Sequence, residues 1–259
     1  VIVEINPISG IRNNFLSTKV LCEKSIKFNI SKFVFISTDK AVRPTNIMGA
    51  SKRAAELLIN SYSQKIKDSE NKTLFSIVRF GNVIGSSGSV VPLLQEQISK
   101  GGPLTITDKE ITRYFMTISE AVQLVIQTCA LTDGSDLFLL DMGKQVKILS
   151  LAKNLIRLSN LRIKDELNPD GDIEIKFTGL RPGEKLYEEL LIESNSIPTE
   201  HPLIFKACPE ELSVNEEYKV KFDELESNIN NHKIDEILKI LYEIVPSWQK
   251  YIFKNKWEG

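Results

Sequence analysis

Between residues 32 and 79 two short apolar runs flank a long amphipathic stretch, and that order leaves few folds open. Lys32-Phe33-Val34-Phe35-Ile36-Ser37 and Leu74-Phe75-Ser76-Ile77-Val78-Arg79 are rich in bulky apolar residues, the composition of strands buried on both faces. Residues 44–66 lie between them. Pro44 marks the approach, and Ala50, Ala54, Leu57, Leu58 and Tyr62 recur at helical spacing. A polar link, Lys67-Asp68-Ser69-Glu70-Asn71-Lys72, leads into the second run. Strand, helix and strand in this order predict a right-handed βαβ unit with a parallel sheet, hence an α/β fold. In open α/β sheets ligands bind beyond the carboxyl ends of the strands. There the chain places Ser37-Thr38-Asp39-Lys40, followed by Met48-Gly49-Ala50-Ser51-Lys52, in which Met48 and Lys52 lie one helical turn apart. A hydroxyl, a carboxylic acid and two amines are therefore expected together at one strand end.

Elsewhere the pattern is coarser. Residues 7–29, with Ile11, Phe15, Val20, Leu21 and Ile26, predict a helix packed on the sheet. The Gly/Ser loop 85–89 reads as a turn in which Ser89 caps a helix containing Val90, Leu93, Leu94 and Ile98. Gly101-Gly102-Pro103 ends that helix. Leu104-Thr105-Ile106 and residues 113–117 predict short strands, 119–131 and 148–159 helices, and 168–172 a turn before a strand over 173–177. From 215 to 243 the chain is rich in Lys and Glu, with Leu225, Ile229, Ile234, Ile237, Leu238 and Leu241 at helical spacing, and reads as a helical cap. The expected organisation has three stretches, 1–100, 101–198 and 199–259, with Gly101-Gly102-Pro103 marking the crossing into a substrate-binding domain and the last stretch a helical tail.

Composition narrows the function classes. With 33 basic and 34 acidic residues the net charge is −1, and no basic block is interleaved with aromatics, so nucleic acid is not an expected partner. Cys22, Cys129 and Cys208 are far apart and odd in number, which argues for a reducing compartment rather than a disulfide framework. His201 and His232 are the only histidines, so no zinc site is expected. No apolar run approaches the roughly 20 residues that span a bilayer.

The strand-end residues resemble the extended short-chain dehydrogenase/reductases, in which a Ser/Thr after the strand and a Tyr-x-x-x-Lys pair on the helix surround a nicotinamide ring. Within them, Ser37–Ala41 and Pro44–Arg53 resemble the bacterial nucleotide-sugar 4,6-dehydratases of the CapD/WbpM/PglF type, which make precursors of surface polysaccharides and glycans. The resemblance continues through Val78–Val83, Thr112–Ile118, Phe138–Gly143 and Gly179–Leu190. It implies an α/β fold with an incomplete Rossmann-like parallel sheet, 1–100 being the second half of the dinucleotide-binding domain, 101–198 a smaller α/β sugar-nucleotide-binding domain, and 199–259 a helical C-terminal tail. Val1–Pro7 resembles family sequence lying after the fourth strand, and no Gly-x-Gly-x-x-Gly turn for a cofactor pyrophosphate is present. The chain thus reads as the carboxyl-terminal part of a larger enzyme, inactive by itself. Many members of the branch have transmembrane helices ahead of the nucleotide domain, which implies a cytoplasmic location for this portion, with the parent anchored at the inner membrane.

The same resemblance implies NAD or NADP as cofactor, a UDP-sugar as substrate, and room for homo-oligomers. In 4,6-dehydration the C4 position is oxidised, water is lost across C5 and C6, and hydride returns to C6. Thr38 would hydrogen-bond the C4 oxygen; Asp39, protonated, would donate to the leaving C6 hydroxyl; Lys40, neutral, would take the C5 proton. Burial must shift both groups for those states to exist near neutral pH. Met48 stands at the tyrosine position, and a thioether cannot act as the C4-hydroxyl base, so Lys52, through water or Thr38, inherits that proton. Lys52 and Ser37 are the expected cofactor contacts. Asn82, Val90, Arg113, Arg181 and Glu184 are the expected substrate contacts, with both arginines on the diphosphate, Glu184 on the ribose, and the loop 86–92 over the base. A nucleotide-sugar 4-epimerase and a catalytically inert sugar-nucleotide-binding or assembly fragment are the competing readings.

Overall fold

The computed structural model describes residues 2–86, 88–189 and 196–248. Helices α1 (Ile2–Ile5) and α2 (Pro7–Ile11) lead through a π-helical turn (Arg12–Leu16) into α3 (Ser17–Lys27). The single helix expected over 7–29 is thus interrupted, although Ile11, Phe15 and Cys22 are all buried. Strand β1 (Lys32–Thr38) is followed by one 3-10 turn, Asp39–Ala41, and by α4 (Ile47–Ile66), which starts later than Pro44. Asn46 sets that start: its backbone is extended and its Oδ1 accepts the Gly49 N–H at 2.8 Å, as an N-cap requires.

Strands β2 (Leu74–Phe80) and β3 (Asn82–Val83) precede α5 (Val90–Ser99). Next come β4 (Leu104–Ile106), β5 (Thr112–Arg113), β6 (Phe115–Met116) and α6 (Ile118–Leu131). Strands β7 (Asp136–Leu140) and β8 (Val146–Lys147), helix α7 (Ile148–Leu158), then β9 (Ile163–Lys164) and β10 (Ile173–Phe177) follow. The chain continues with β11 (Ser196–Pro198), β12 (Ile204–Ala207), α8 (Glu216–Asn230) and α9 (Ile234–Ile244). Three expectations are corrected here. Ser89 occupies the N-cap position of α5, but its hydroxyl has no hydrogen-bond partner. The N3 residue is Pro92, which has no N–H for a cap to bind. The strand expected over 113–117 is split at Tyr114 into β5 and β6, which pair with different partners, β8 and β3. The helix expected over 215–243 is two helices, broken where His232 adopts φ 55°.

The residues form two compact units, Val1–Phe80 with Leu124–Asp141 and Glu189–Gly259, and Gly81–Gln123 with Met142–Glu188. These cut across the sequential stretches 1–100, 101–198 and 199–259, because β7 returns from mid-chain to the first unit's sheet and the helical tail packs on α4. That sheet has the order β1-β2-β7-β12-β11. β1, β2 and β7 are parallel, with Lys32 opposite Leu74 and Ser76 opposite Asp136, while β12 and β11 are antiparallel additions. On one sheet face Phe35, Phe75, Ile77, Leu137 and Leu139 pack with Ala55, Ile59 and Ile66 of α4 and with Cys22. The other side of α4 buries Ala50, Ala54, Leu57 and Leu58 against Phe15, Phe222, Leu225, Ile237 and Leu241. The charged tail is therefore a second wall around the helix that carries Met48 and Lys52. Leu241→Ala is expected to cost about 2–5 kcal/mol of stability, read as a lowered urea midpoint; an unchanged midpoint would show that the tail does not brace α4.

In the second unit β4, β10 and β9 form a three-stranded parallel sheet in the order β4-β10-β9. Leu94 and Ile98 of α5, Ile148, Ala152 and Ile156 of α7, and Leu104, Ile106 and Ile173 make its core. Among the described residues no helix is long and apolar enough to cross a membrane.

Candidate active site

Thr38 ends β1 with an extended backbone, and its Oγ1 accepts the Lys40 N–H at 3.3 Å, capping the turn that follows. The same hydroxyl donates to Asp39 Oδ1 at 2.9 Å, and Lys40 Nζ donates to that oxygen at 2.9 Å. Asp39 is wholly buried, and its Oδ2 has no hydrogen-bond partner among the described residues. A desolvated carboxyl oxygen left unsatisfied costs on the order of 1–3 kcal/mol. One oxygen held by two donors and the other open is an arrangement suited to proton exchange with a bound group.

Helix α4 is brought against this turn by small residues. A Cβ on Gly49 would lie 2.2 Å from the Lys40 carbonyl oxygen, so only glycine permits the approach. Glu4 assists from α1: its Oε1 accepts the N–H groups of Ile47 at 2.8 Å and Met48 at 3.4 Å, where the helix dipole favours a negative charge. Met48 is half-buried in the first turn of α4. Lys52, one turn on, donates from Nζ to the Ile36 carbonyl at 3.0 Å and lies 4.4 Å from the centroid of the Phe35 ring. Burial holds its pKa below the ordinary lysine value, with Glu56 opposing the shift.

Beneath Lys52 is a buried charge cluster. Arg79, at the end of β2, grips Glu56 in a bidentate fork, Nε to Oε1 at 2.7 Å and Nη2 to Oε2 at 2.5 Å. Ser37 donates to Oε1 at 2.6 Å and Arg53 to Oε2 at 2.9 Å. Burial alone would raise the Glu56 pKa, but Arg79, then Arg53 and Ser37, hold it below the usual carboxylate value. The Ser37 hydroxyl, expected at a cofactor, is thus turned inward to Glu56.

The second unit assembles its own set. Arg181-Pro182-Gly183-Glu184 is a β-turn with Pro second and Gly183 third at φ 73°, closed by Glu184 N–H to the Arg181 carbonyl at 3.0 Å. The Glu184 carboxylate accepts the Arg181 N–H at 3.1 Å and Thr107 Oγ1 at 3.3 Å. Arg113 is 8% exposed; it donates to the carbonyls of Thr112 at 2.7 Å and Leu186 at 3.3 Å, and its Nη2 lies 3.4 Å from Glu184. The Arg181 side chain is exposed, Asn82 pairs with Phe115 in register, and Val90 opens α5. Ser87, in the loop expected to cover the base, and Leu190 lie outside the described residues.

The structure therefore joins Thr38, Asp39 and Lys40 in one cluster and Arg113, Arg181 and Glu184 in another. Sequence reasoning assigned no role to Glu4, Asn46, Glu56 or Arg79. Glu56 carried one legible signal, its i, i+4 spacing from Lys52; nothing local tied it to Arg79.

A parallel βαβ sheet with a polar turn at the carboxyl end of β1 is a Rossmann-like fold of the short-chain dehydrogenase/reductase type. The chain belongs to the family described as polysaccharide biosynthesis protein, whose model matches residues 1–209. It is 49% identical over 241 residues to the capsular polysaccharide biosynthesis protein CapD of Staphylococcus aureus, covering 92% of this chain and 38% of that protein. The probable polysaccharide biosynthesis protein EpsC of Bacillus subtilis is 50% identical over 190 residues, 73% of this chain and 30% of its own length. A UDP-glucose 4-epimerase of Rickettsia canadensis is 36% identical over 188 residues, 73% of this chain and 51% of the epimerase. Among solved structures, Pen from Bacillus thuringiensis superposes with a TM-score of 0.70 at 33% identity, over 84% of this chain and 63% of Pen. The chain thus spans well under half the length of CapD and EpsC.

Of the residues that would hold a nicotinamide cofactor, Lys52 fits: its side chain is half-buried, and its amine, on the Ile36 carbonyl and over the Phe35 ring, is partly exposed. The Ser37 hydroxyl does not, being engaged with Glu56. No glycine cradle for a pyrophosphate occurs in the sequence.

Proposed function

We propose that this chain supplies the elimination and sugar-nucleotide-binding residues of an NAD(P)-dependent 4,6-dehydratase acting on a UDP-linked N-acetylhexosamine of the UDP-N-acetylglucosamine type, in surface polysaccharide or glycan synthesis. The observation that carries the reading is the buried Asp39 carboxyl, bonded through one oxygen to both Thr38 and Lys40 and unpartnered at the other. A nicotinamide cofactor, when bound, would supply the hydride chemistry, oxidation at C4 and reduction at C6. Between those events, Lys40 takes the C5 proton, acidified by the C4 ketone, and the electron pair forms the C5–C6 double bond. The C6–O bond breaks as Asp39 protonates the leaving hydroxyl, so water departs; with reduction at C6, the Lys40 ammonium returns a proton to C5. Thr38 orients Asp39 and reaches the C4 oxygen, Lys52 receives the C4 hydroxyl proton in place of a tyrosinate, and Met48 fills the position that tyrosine would take. Arg113 and Arg181 pair with the diphosphate, Glu184 accepts from the ribose, and Asn82 and Val90 line the nucleotide.

The epimerase relatives support a second reading, since 4-epimerisation needs only the C4 hydride step on the same scaffold; Met48 and the contiguous Asp39–Lys40 pair favour dehydration. The chain, joined behind the amino-terminal residues of the CapD relative, should be given UDP-N-acetylglucosamine and NAD+ in deuterium oxide. A 4-keto-6-deoxy product carrying solvent deuterium at C5 is expected. A C4 epimer without deuterium identifies an epimerase, and sugar-nucleotide binding with no product identifies an inert binding module. In the same protein Arg181→Ala is expected to raise KM roughly ten- to a hundredfold with kcat little changed, because a diphosphate contact acts in ground and transition states alike.

A further inference from the structure

We propose that Glu56 is a positioning residue for Lys52: pinned by Arg79, Ser37 and Arg53, its carboxylate fastens the ends of β1 and β2 to α4 and supplies the negative charge one helical turn beneath the lysine. The inference rests on Lys52 being functional, as the proposed reaction requires. Four donors on three elements, β1, β2 and α4, converge on the two oxygens of Glu56, which is 0% exposed. Holding those elements together does not by itself require charge. A buried ion pair carries a desolvation cost of several kcal/mol per ion, and apolar side chains of similar volume commonly hold a fold as well or better. What apolar packing cannot provide is a field at Lys52.

Lys52 is placed to respond to that field. Lys52 is half-buried, and its amine lies over the Phe35 ring and is bonded to the Ile36 carbonyl, contacts that bring no counter-charge. Among the charged groups on the elements packed around α4, Asp39 and Lys40 are bonded to each other, Glu4 accepts the Ile47 and Met48 N–H groups, Lys19 of α3 pairs with Glu23 and Glu226, and Arg53 and Arg79 face Glu56 and, at 3.8 Å each, Glu211 beyond β12. Glu56 is the group whose charge acts on the lysine, and it opposes the effect of burial. The cluster therefore places Lys52 by clamping β1 under it and keeps a fraction of its amine protonated that burial alone would remove.

The test reads Lys52 in this chain directly, without cofactor or sugar. Acetic anhydride labelling across pH 6 to 11 on the order of minutes, followed by mass spectrometry of the Lys52 peptide, gives the midpoint at which the amine becomes reactive. Glu56→Gln is expected to lower that midpoint, so that at a fixed, lower pH the amine reacts faster, roughly tenfold if the midpoint falls by about 1 on the pH scale. Arg79→Met removes the other half of the same pair yet leaves the carboxylate, so the midpoint should hold or rise. Equal changes in the two variants, or an unchanged midpoint in Glu56→Gln, would overturn the proposal, because a merely structural role loosens the site in both cases. Circular dichroism melts establish that each variant is folded. If either single variant is not, Glu56→Leu with Arg79→Met, packed with apolar side chains, must show the lowered midpoint, and a wild-type midpoint there overturns the proposal equally. A negative result leaves the dehydration reading standing, since no turnover enters the measurement.

Discussion

Gly49→Ala is expected to destabilise the chain and to displace the Asp39–Lys40 turn, although alanine is the better helix former. Propensity favours alanine by at most about 1 kcal/mol. Against that, a Cβ would sit 2.2 Å from the Lys40 carbonyl oxygen, 3.1 Å from its carbon and 3.1 Å from Pro44 Cβ. Backbone and a proline ring have no rotamer with which to escape. Overpacking of this kind costs about 1–3 kcal/mol, so the clash outweighs the propensity gain, and the relief available is to push α4 away from the turn. Gly10→Ala is the comparison: the three atoms nearest its Cβ would all belong to the Val3 side chain near the amino terminus, the closest a methyl at 2.5 Å, with no backbone among them. Urea unfolding should therefore show a lower midpoint for Gly49→Ala than for Gly10→Ala. Equal midpoints would mean that α4 does not press on the Lys40 carbonyl.

In the reconstituted full-length protein, under the proposed dehydration, Lys40→Ala is expected to reduce kcat by roughly 10²- to 10⁴-fold, the range typical of a general base, while leaving KM within a few-fold. The asymmetry follows from where Lys40 acts. In the proposed reaction it meets the C5 proton only as that proton is transferred, whereas Arg113 and Arg181 are the residues assigned to substrate affinity. Deuterium incorporation at C5 separates the base from its neighbours. Loss of both turnover and exchange assigns the proton to Lys40; exchange at the parent rate would exclude it and move the role to Lys52. Asp39→Asn should preserve exchange at C5 while blocking loss of the C6 hydroxyl, since the carboxamide keeps the contacts of Asp39 and cannot deliver a proton.

The strand-end chemistry was legible because it is local. Lys32–Thr38 is a short apolar run that ends in polar residues, α4 repeats at helical spacing, and Asp39 and Lys40 are adjacent, so their contact needs no knowledge of the rest of the fold. The Arg-Pro-Gly-Glu turn was likewise written in four residues: Pro182 presets one backbone angle and Gly183 supplies the positive φ. Local composition misled where a long-range or stereochemical detail intervened. Ser89 has the composition of a cap, but Pro92 removes the N–H that a cap needs. The tail was periodic enough to predict a helix, yet the break at His232 depends on α8 and α9 folding back against each other, a packing event that periodicity does not encode.

What the sequence determined by itself is the βαβ order, the parallel strands it entails and the identity of the groups at the end of β1, because these follow from backbone periodicity and neighbours a few positions apart. Tertiary structure decided which charges meet. Glu56 and Arg79 are 23 positions apart, and Ser37 and Glu56 are 19 apart. They converge because β1 and β2 align Ser37 beside Arg79 in parallel register while α4 crosses the face on which Phe35 lies. The antiparallel addition of β12 and β11, and the tail that buries the far side of α4, were settled in the same way. Burial gives these side chains their energetic weight, and burial belongs to the packed sheet and helices rather than to any single segment.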